Sequence, residues 1–495
     1  MKCRFHMLLA SFVPALALLP GCAVGPNYQP PKTAAPAQWN APMAGGETNL
    51  EPSVASWWKS FKDPQLDSLI ERAAKANYDL RIAEARVLEA RALYRIAASR
   101  LGPTIDAGGS YARQNQSKNQ PIIRDLQVPS SVPFENNVYQ AGFDASWEVD
   151  VFGGTRRSIE AGKAEVAAAQ FGRRNVLVTL LGEVARNYVE TRAFQRRLEI
   201  AEKNLKTQEE ALAITQDRFK NGLTSDLDVQ QAATLLAATR SVIPLLETGI
   251  EASIHRLDVL LGQPPGTLAA ELSPPAPIPA APPDVPVGLP ADLLRRRPDI
   301  QQAERQLAAS TARVGVATAD LFPKFSLTGL AGFESTSASD WFNPDSRFWS
   351  VGPTVQWRIF DSGRIRANIR VHNARQEQAL AAYEKTVLTS FEEVEDSLVA
   401  YAKEQIRRRS LEDAVKSSQD SLHLANQLYS SGLVSFINVL DAERSVYLAE
   451  DALADSDRFV TENLISLYKA LGGGWETLER QSQLAQAETK GRSTR

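Results

Sequence analysis

Two long segments of the chain carry mostly apolar residues at a seven-residue spacing. The positions in the first segment are Leu177, Val184, Thr191, Leu198, Leu205, Leu212 and Phe219. Those in the second include Val387, Val394, Tyr401, Val415, Leu422 and Tyr429. A seven-residue period gives a helix one narrow stripe that packs against neighbouring helices in a supercoil. The pattern predicts long helices over 155–220 and 364–431, each on the order of 100 Å at about 1.5 Å per residue.

Four shorter segments alternate between apolar and polar residues instead. The clearest apolar sets are Tyr139, Ala141, Phe143, Ala145, Trp147 and Val149, and then Trp349, Val351, Pro353, Val355, Trp357 and Ile359. Weaker alternation follows Pro103 and Pro323. This period is typical of strands with one apolar face, so we predict two hairpins, over 103–151 and 323–361. A soluble, half-buried hairpin alternates in the same way, and the pattern by itself leaves that alternative open.

The same landmarks occur twice along the chain. Trp147 and Trp357 lie 210 positions apart, whereas Pro103 and Pro323, at the start of the hairpins, lie 220 positions apart. The difference corresponds to ten extra residues in the loop of the first hairpin. We conclude that the chain is a tandem duplication, in which each half has the order helix, hairpin, long helix, turn and helix.

The duplication sets the predicted boundaries of the chain. The first repeat covers 65–262 and ends in a return helix at 226–262, about half as long as the long helix before it. The second repeat covers 291–475, with a leading helix at 299–322 and a return helix at 436–471.

The turns between the long helices and the return helices have matching residues. Gly222 and Gly432 each follow the last turn of a long helix, where a residue with positive φ ends the helix at low cost. Ser225 and Ser435 are the expected N-caps of the return helices, and Asp228 is placed as the acidic partner of a capping box. The sequence therefore predicts two hairpin tips at one end of the molecule.

Proline separates the two repeats. The segment 263–290 contains ten prolines, from Pro264 to Pro290, and is predicted to form an extended belt without helix. The polar residues 476–495 are predicted to be a disordered tail.

The N-terminus has the pattern of an export signal. Lys2 and Arg4 precede an apolar run over 7–19, and the sequence LLPGC ends at Cys22. LLPGC resembles a bacterial lipobox, which predicts a signal peptide at 1–21 and a Cys22 acylated on its thiol and new amino group. Ordinary cleavage that leaves Cys22 as a free thiol is the alternative. We expect an extended, lipidated segment over 22–64.

Composition narrows the function classes. The formal charge of −3 gives no basic excess that would indicate nucleic-acid binding. His255, His372 and His423 are isolated on predicted helices, and no metalloprotease, serine-hydrolase or complete phosphate-loop motif is present. We therefore expect neither an enzyme nor a bound cofactor or metal.

Four motifs together resemble one family. CAVGPNYQPP at 22–31, LPADLLRRRPDI at 289–300, GLVSFINVLDAERS from Gly432 and LYKALGGGW at 467–475 are similar to the outer-membrane factor lipoproteins of tripartite, RND-type efflux systems, the OprM/NodT branch of the TolC superfamily. The resemblance implies an α+β membrane protein: a homotrimer whose twelve-stranded barrel, with four strands per protomer, continues into a periplasmic helical barrel. It also implies a lipid anchor in the outer membrane and two partners, a periplasmic adaptor and an inner-membrane pump.

The resemblance also implies roles for tip residues. The family closes its periplasmic end with rings of such residues, which correspond here to Ile437, Asp441 and Asp228. Asn438 stands where a prototype of the family has a second aspartate. As alternatives, Asp228 is explained as a helix cap and Asp441 as part of a solvated face. The expected adaptor contacts are Gly222, Leu223, Ser225, Gly432, Leu433 and Ser435.

The leading hypothesis is a passive exit duct for drugs or other small molecules, gated at the helical tips. One alternative is a structural lipoprotein whose helices form a periplasmic rod without a channel. Another is a type I duct for polypeptide export, since its tips and barrel would look much the same.

Overall fold

A computed structural model of the chain describes residues 23–41, 47–48, 54–115, 117, 134–282 and 285–480. Cys22, the predicted signal peptide and most of the loop of the first hairpin lie outside the described residues. The α-helices are α1 (Pro64–Ala76), α2 (Tyr78–Ser99), α3 (Gly154–Lys220), α4 (Asp226–Leu260), α5 (Ala269–Leu272), α6 (Pro290–Arg296), α7 (Pro298–Ala319), α8 (Arg364–Ser430) and α9 (Phe436–Ala470). The strands are β1 (Glu47–Thr48), β2 (Thr104–Asn115), β3 (Glu135–Val149), β4 (Val285–Pro286), β5 (Lys324–Ser335) and β6 (Arg347–Gln356). Short 3-10 helices cover Val54–Phe61 and Pro344–Ser346.

The helices of the two repeats match in length. The leading helices α2 and α7 have 22 residues each, the long helices α3 and α8 have 67 each, and the return helices α4 and α9 have 35 each. Equal lengths in both halves are what a tandem duplication requires. Within the described residues, no helix combines the length and the apolar composition of a membrane span.

Contacts divide the chain into two compact units. The described residues of the first unit lie within 1–31, 88–167 and 304–381, and those of the second within 32–87, 168–303 and 382–495.

The first unit contains an antiparallel sheet in the order β2, β3, β5, β6. Each predicted hairpin is present, and the two hairpins join because β3 pairs with β5 from Tyr139 opposite Ser335 to Val149 opposite Phe325. At this junction Gly142 lies opposite Gly332. A Cβ atom on either glycine would lie less than 3.0 Å from backbone atoms of the other strand, so this pair has no room for a side chain on either strand.

Two repeat-related tryptophans connect the sheet to the residues that follow the leading helices. The indole N–H of Trp147 donates to the carbonyl of Leu101 at 2.9 Å, and that of Trp357 donates to the carbonyl of Leu321 at 3.1 Å. Leu101 and Leu321 follow the ends of α2 and α7, where helical carbonyls lack partners. Both tryptophans therefore lie at the end of the sheet next to the ends of α2 and α7.

The first unit also holds the start of the described chain. The backbone N–H of Val24 donates to the carbonyl of Phe152 at 3.1 Å. The guanidinium of Arg157, a side chain 4% exposed, donates to the carbonyl of Val24 and to Asn27 Oδ1. The residues that follow Cys22 are thus attached to the base of α3.

The second unit is built on a core of aromatic and aliphatic residues. Trp57 and Trp58 are almost fully buried, and Trp57 stacks on Tyr468 of α9 with ring centroids 5.5 Å apart. They belong to the 3-10 helix Val54–Phe61, so the expectation of an extended segment over the whole of 22–64 is wrong. Burial of two large aromatic side chains favours a compact turn over an extended chain.

The belt at 263–290 is also not free of helix. Residues 267–272 contain no proline, and Ala269–Leu272 form one helical turn, α5. Asp258 accepts hydrogen bonds from the backbone N–H groups of Gly266 and Leu268 at 2.7 and 2.9 Å and so holds the start of that turn. The buried Arg192 of α3 donates to the carbonyls of Leu272 and Pro274 and attaches the belt to the long helix.

The tail begins later than expected. Residues 475–480 are helical, and the Arg174 guanidinium lies 4.4 Å from the centre of the Trp475 ring and pairs with Glu479 at 2.9 Å. The prediction of disorder from 476 is therefore wrong for these residues, since a cation–π contact and an ion pair fix them. Residues 481–495 lie outside the described residues.

Candidate functional site

The two hairpin tips of the second unit share one backbone geometry. Gly222 and Gly432 have φ angles of 69° and 73°. In the first tip the N–H of Leu223 donates to the carbonyl of Arg218 at 2.8 Å, and in the second the N–H of Leu433 donates to the carbonyl of Leu428 at 2.9 Å. These are the bonds of a Schellman motif, which satisfies the last carbonyls of a helix and needs a left-handed residue.

Conformation, rather than crowding, requires these two glycines. No atom lies within 4 Å of a Cβ built on either Gly222 or Gly432. A larger side chain would find space but would be held at a φ that L-residues rarely adopt.

The N-caps of the return helices differ in the direction of their hydrogen bonds. In the first tip the Asp228 carboxylate accepts from the backbone N–H of Ser225 at 3.4 Å and from its hydroxyl at 3.2 Å. In the second tip the Asn438 amide donates to the carbonyl and the hydroxyl of Ser435, both at 3.2 Å. The cap thus occupies the Asp228 carboxylate, whereas the second tip has no charge at the matching position.

Apolar side chains are exposed at both tips. Leu223 is 67% exposed, Leu433 72% and Ile437 45%. In the return helices that follow the tips, Ala232 of α4 packs with Phe436, Val439 and Leu440 of α9. This small core therefore joins the two repeats, whereas the predicted tip residues are not part of it.

A cation–π contact beside that core joins the two helical hairpins, α3 with α4 and α8 with α9. The guanidinium of Arg218, in the last turn of α3, lies 4.8 Å from the ring centre of Tyr429 in α8, and Tyr429 in turn contacts Phe436. Sequence reasoning missed Arg218. The basic residue in the last turn, where it also favours the helix dipole, was the available signal.

Asp441 has a partner that the sequence analysis did not name. Its carboxylate forms an ion pair with Arg444, one turn further along α9, and both side chains are 61% exposed. The spacing of three residues in DAER could have indicated this pair. A ring of Asp441 carboxylates would therefore carry a ring of guanidinium groups beside it.

The comparisons with known proteins identify the family. The family model described as outer membrane efflux protein matches residues 69–263 and again 289–473. The chain belongs to the outer membrane efflux protein family. The ends of the two matches lie within four residues of the ends of the two predicted repeats, which agrees with the duplication. The predicted efflux function and outer-membrane location are confirmed at the level of this family.

The similarity of this efflux protein to its relatives extends over nearly the whole chain. Solvent efflux pump outer membrane protein SrpC of Pseudomonas putida is 36% identical over 468 residues, which cover 93% of this chain and 97% of that protein. Nodulation protein T of Rhizobium leguminosarum bv. trifolii is 32% identical, with coverage of 94% and 97%. The solved structure of the outer-membrane channel OprN has a TM-score of 0.85 and 38% identity over 92% of this chain and all of that one. These similarities confirm the predicted fold class.

Proposed function

We propose that three copies of this chain form an outer-membrane duct that passively conducts small molecules for a tripartite efflux system. The sheet carries the proposal. Among its four strands, β2 and β6 are at the edges. Edge strands leave backbone groups without partners, and lipid offers no water to bind them. Edge-to-edge pairing of three copies would close a barrel of twelve strands.

The outward face of the sheet supports the same proposal. Trp349, Val351 and Val355 of β6 are 77%, 64% and 61% exposed, and polar Ser350 and Thr354 alternate with them. A strand with one exposed apolar face and one polar face is suited to lipid on one side and water on the other.

The substrate class and the partners rest on the relatives. SrpC is named for solvent efflux, which favours small molecules over polypeptides. In this proposal the chain is not an enzyme. A periplasmic adaptor and an RND-type inner-membrane pump supply substrate and energy, and acylation at Cys22 anchors the protomer in the outer membrane.

We place the gate at the periplasmic tips. Ile437 would form an apolar collar, and Asp441 would form a ring of carboxylates paired with Arg444. Asp228, beside the N-cap of α4, would contribute the gate residue of the first repeat. Arg218 on Tyr429 would hold the two hairpins together in the closed state. The adaptor would dock on the tip residues Gly222, Leu223, Ser225, Gly432, Leu433 and Ser435.

Planar-bilayer conductance of the purified protein tests the duct and the gate together. We expect low wild-type conductance and a severalfold rise in the double variant Ile437→Ala, Asp441→Ala, because the variant removes the collar and the charge. The matched control is the double variant Leu227→Ala, Gln231→Ala, which changes the repeat-related positions of the first helical hairpin. This variant should conduct like the wild type.

The outcomes separate the hypotheses. Equal conductance of all three proteins would leave the duct in place and refute the gate residues. A folded, inserted protein that never conducts would refute the duct and favour the structural rod.

A further inference from the structure

A cavity of about 370 Å³ lies behind the second tip, between α3, α8 and α9. Lys203, Gln419 and His423 are exposed side chains of its lining, whereas Gln208 and Glu443 are buried. The cavity lies within the second unit and includes none of the gate residues proposed above.

Two buried polar side chains in this cavity lack partners. Glu443 is 5% exposed, and its Oε2 accepts no hydrogen bond from any residue that the structure describes. Gln208 is 3% exposed, and neither its amide oxygen nor its amide nitrogen has a partner among those same residues. A buried carboxylate without a counter-charge is unstable and takes up a proton instead.

The other titratable groups of the cavity do not offer Glu443 a counter-charge. Lys203 of α3 and His423 of α8 are exposed, and His423 lies 3.1 Å from the amide of Gln427. Glu450, on the same helix as Glu443, accepts a hydrogen bond from Gln419 at 2.8 Å. Burial alone raises the pKa of Glu443 from 4.5 to about 7.

The two buried groups, Glu443 and Gln208, have no polar counterpart pair of the same kind at the repeat-related positions. The positions that correspond to Glu443 and Gln208 carry Ala233 and Ser418. The buried pair therefore occurs once in a chain whose helices are otherwise matched in length. At this position the return helix α4 of the first repeat has the small apolar Ala233, whereas the return helix α9 of the second repeat has the carboxyl group of Glu443.

We propose that Glu443 is a proton-binding site that couples pH to the packing of α9 against α3 and α8. The neutral carboxyl group stays in the cavity, which the buried Gln208 also lines. The ionised carboxylate needs water around both oxygens, and the buried Oε2 gains that water when α9 separates from the other two helices. This inference rests on the proposed gate only for its consequence in conduction, which is easier opening at higher pH.

The direction of the pH effect follows from the two pKa values. Below pH 4.5 the carboxyl group is neutral in both the packed and the opened hairpin, so packing does not depend on pH. Between 4.5 and about 7 the opened hairpin releases the proton and the packed one keeps it, so the packed state weakens as pH rises. Above about 7 both states are ionised and the effect levels off.

Amide hydrogen exchange of residues 436–450 in the purified full-length protein measures this coupling. After correction for intrinsic exchange rates, we expect wild-type protection to fall by at most about tenfold per pH unit, because one carboxyl group titrates in each protomer. Glu443→Gln should keep the low-pH protection throughout. Glu443→Ala, which copies the first repeat, should also lose the pH dependence and serves if the glutamine variant does not assemble.

Two control variants exclude the neighbouring titratable groups. Glu450→Gln and His423→Ala should retain the wild-type pH dependence. A flat wild-type profile, an unchanged profile in the Glu443 variants, or a loss of pH dependence in His423→Ala would each overturn the proposal.

Conductance of the same proteins separates this inference from the proposed gate. Protection that follows pH through Glu443 without a change in conductance would support the proton site and count against a gate at the tips. Conductance that opens in the Ile437 and Asp441 double variant, with protection independent of pH, would support the gate and refute the proton site.

Discussion

The first hairpin (α3 and α4) and the second hairpin (α8 and α9) share a backbone but differ in the side chains of their tips. Helix lengths, the positive φ of the glycine and the Schellman bonds are the same in both. In contrast, Asp226, Asp228 and Ala233 of the first hairpin correspond to Phe436, Asn438 and Glu443 of the second. The duplication thus kept the residues that shape the chain and changed those that could contact a core, a pore or a neighbouring copy.

The largest expected difference is at the first residue of each return helix. Phe436 is 5% exposed and packs on Tyr429, whereas Asp226 is exposed. Phe436→Ala should reduce the free energy of local opening of the second tip by about 3–5 kcal/mol, since it removes a buried ring. Asp226→Ala should reduce that of the first tip by less than about 1 kcal/mol. Hydrogen exchange of 221–235 and 431–445 measures both, and equal effects would contradict the asymmetry.

Substitution of the two tip glycines should have equal effects. Gly222→Val and Gly432→Val each place a β-branched residue at positive φ, which costs about 1–3 kcal/mol. Asparagine tolerates this conformation, so Gly222→Asn and Gly432→Asn should cost less. The same exchange measurement applies, and a difference above about 1 kcal/mol between the two valine variants would show that the tips are not equivalent in backbone strain.

Substitution of the cap residues should have the smallest effects on the free energy of local opening, with opposite signs at the two tips. Asp228→Asn removes a carboxylate acceptor at a helix N-terminus and should weaken the first tip by about 0.5–2 kcal/mol. Asn438→Asp adds a negative charge near the start of α9 and should strengthen the second tip by about 0.3–1 kcal/mol. High salt should reduce the second effect. If both substitutions destabilise, the Asn438 hydrogen bonds to Ser435 outweigh the helix dipole.

The periodic elements could be predicted closely, but the contacts between them could not. The long helices begin and end within one residue of the predicted positions, because a seven-residue stripe and a terminating glycine are local signals. The buried turn at Trp57 and Trp58 and the helix at 475–480 were missed. Both depend on partners that are distant in the chain, such as Tyr468 and Arg174.

The same distinction holds for the tips. The positions of Gly222 and Gly432 followed from the repeat, while Arg218 on Tyr429 and the burial of Glu443 became visible only in the packed hairpins. Sequence spacing places residues on one helix face, but it does not say which residue of another helix meets that face.

The sequence by itself determined the duplication, the heptad helices, the alternating strands and the glycine turns, because each is visible as a repeat, a period or a residue type along the chain. Only the tertiary structure decided which groups lose water: the carboxyl of Glu443, the amide of Gln208 and the guanidinium of Arg192 are all buried. Burial depends on helices that are far apart in the chain coming together, and it is burial that turns an ordinary glutamate into a group that titrates near neutral pH.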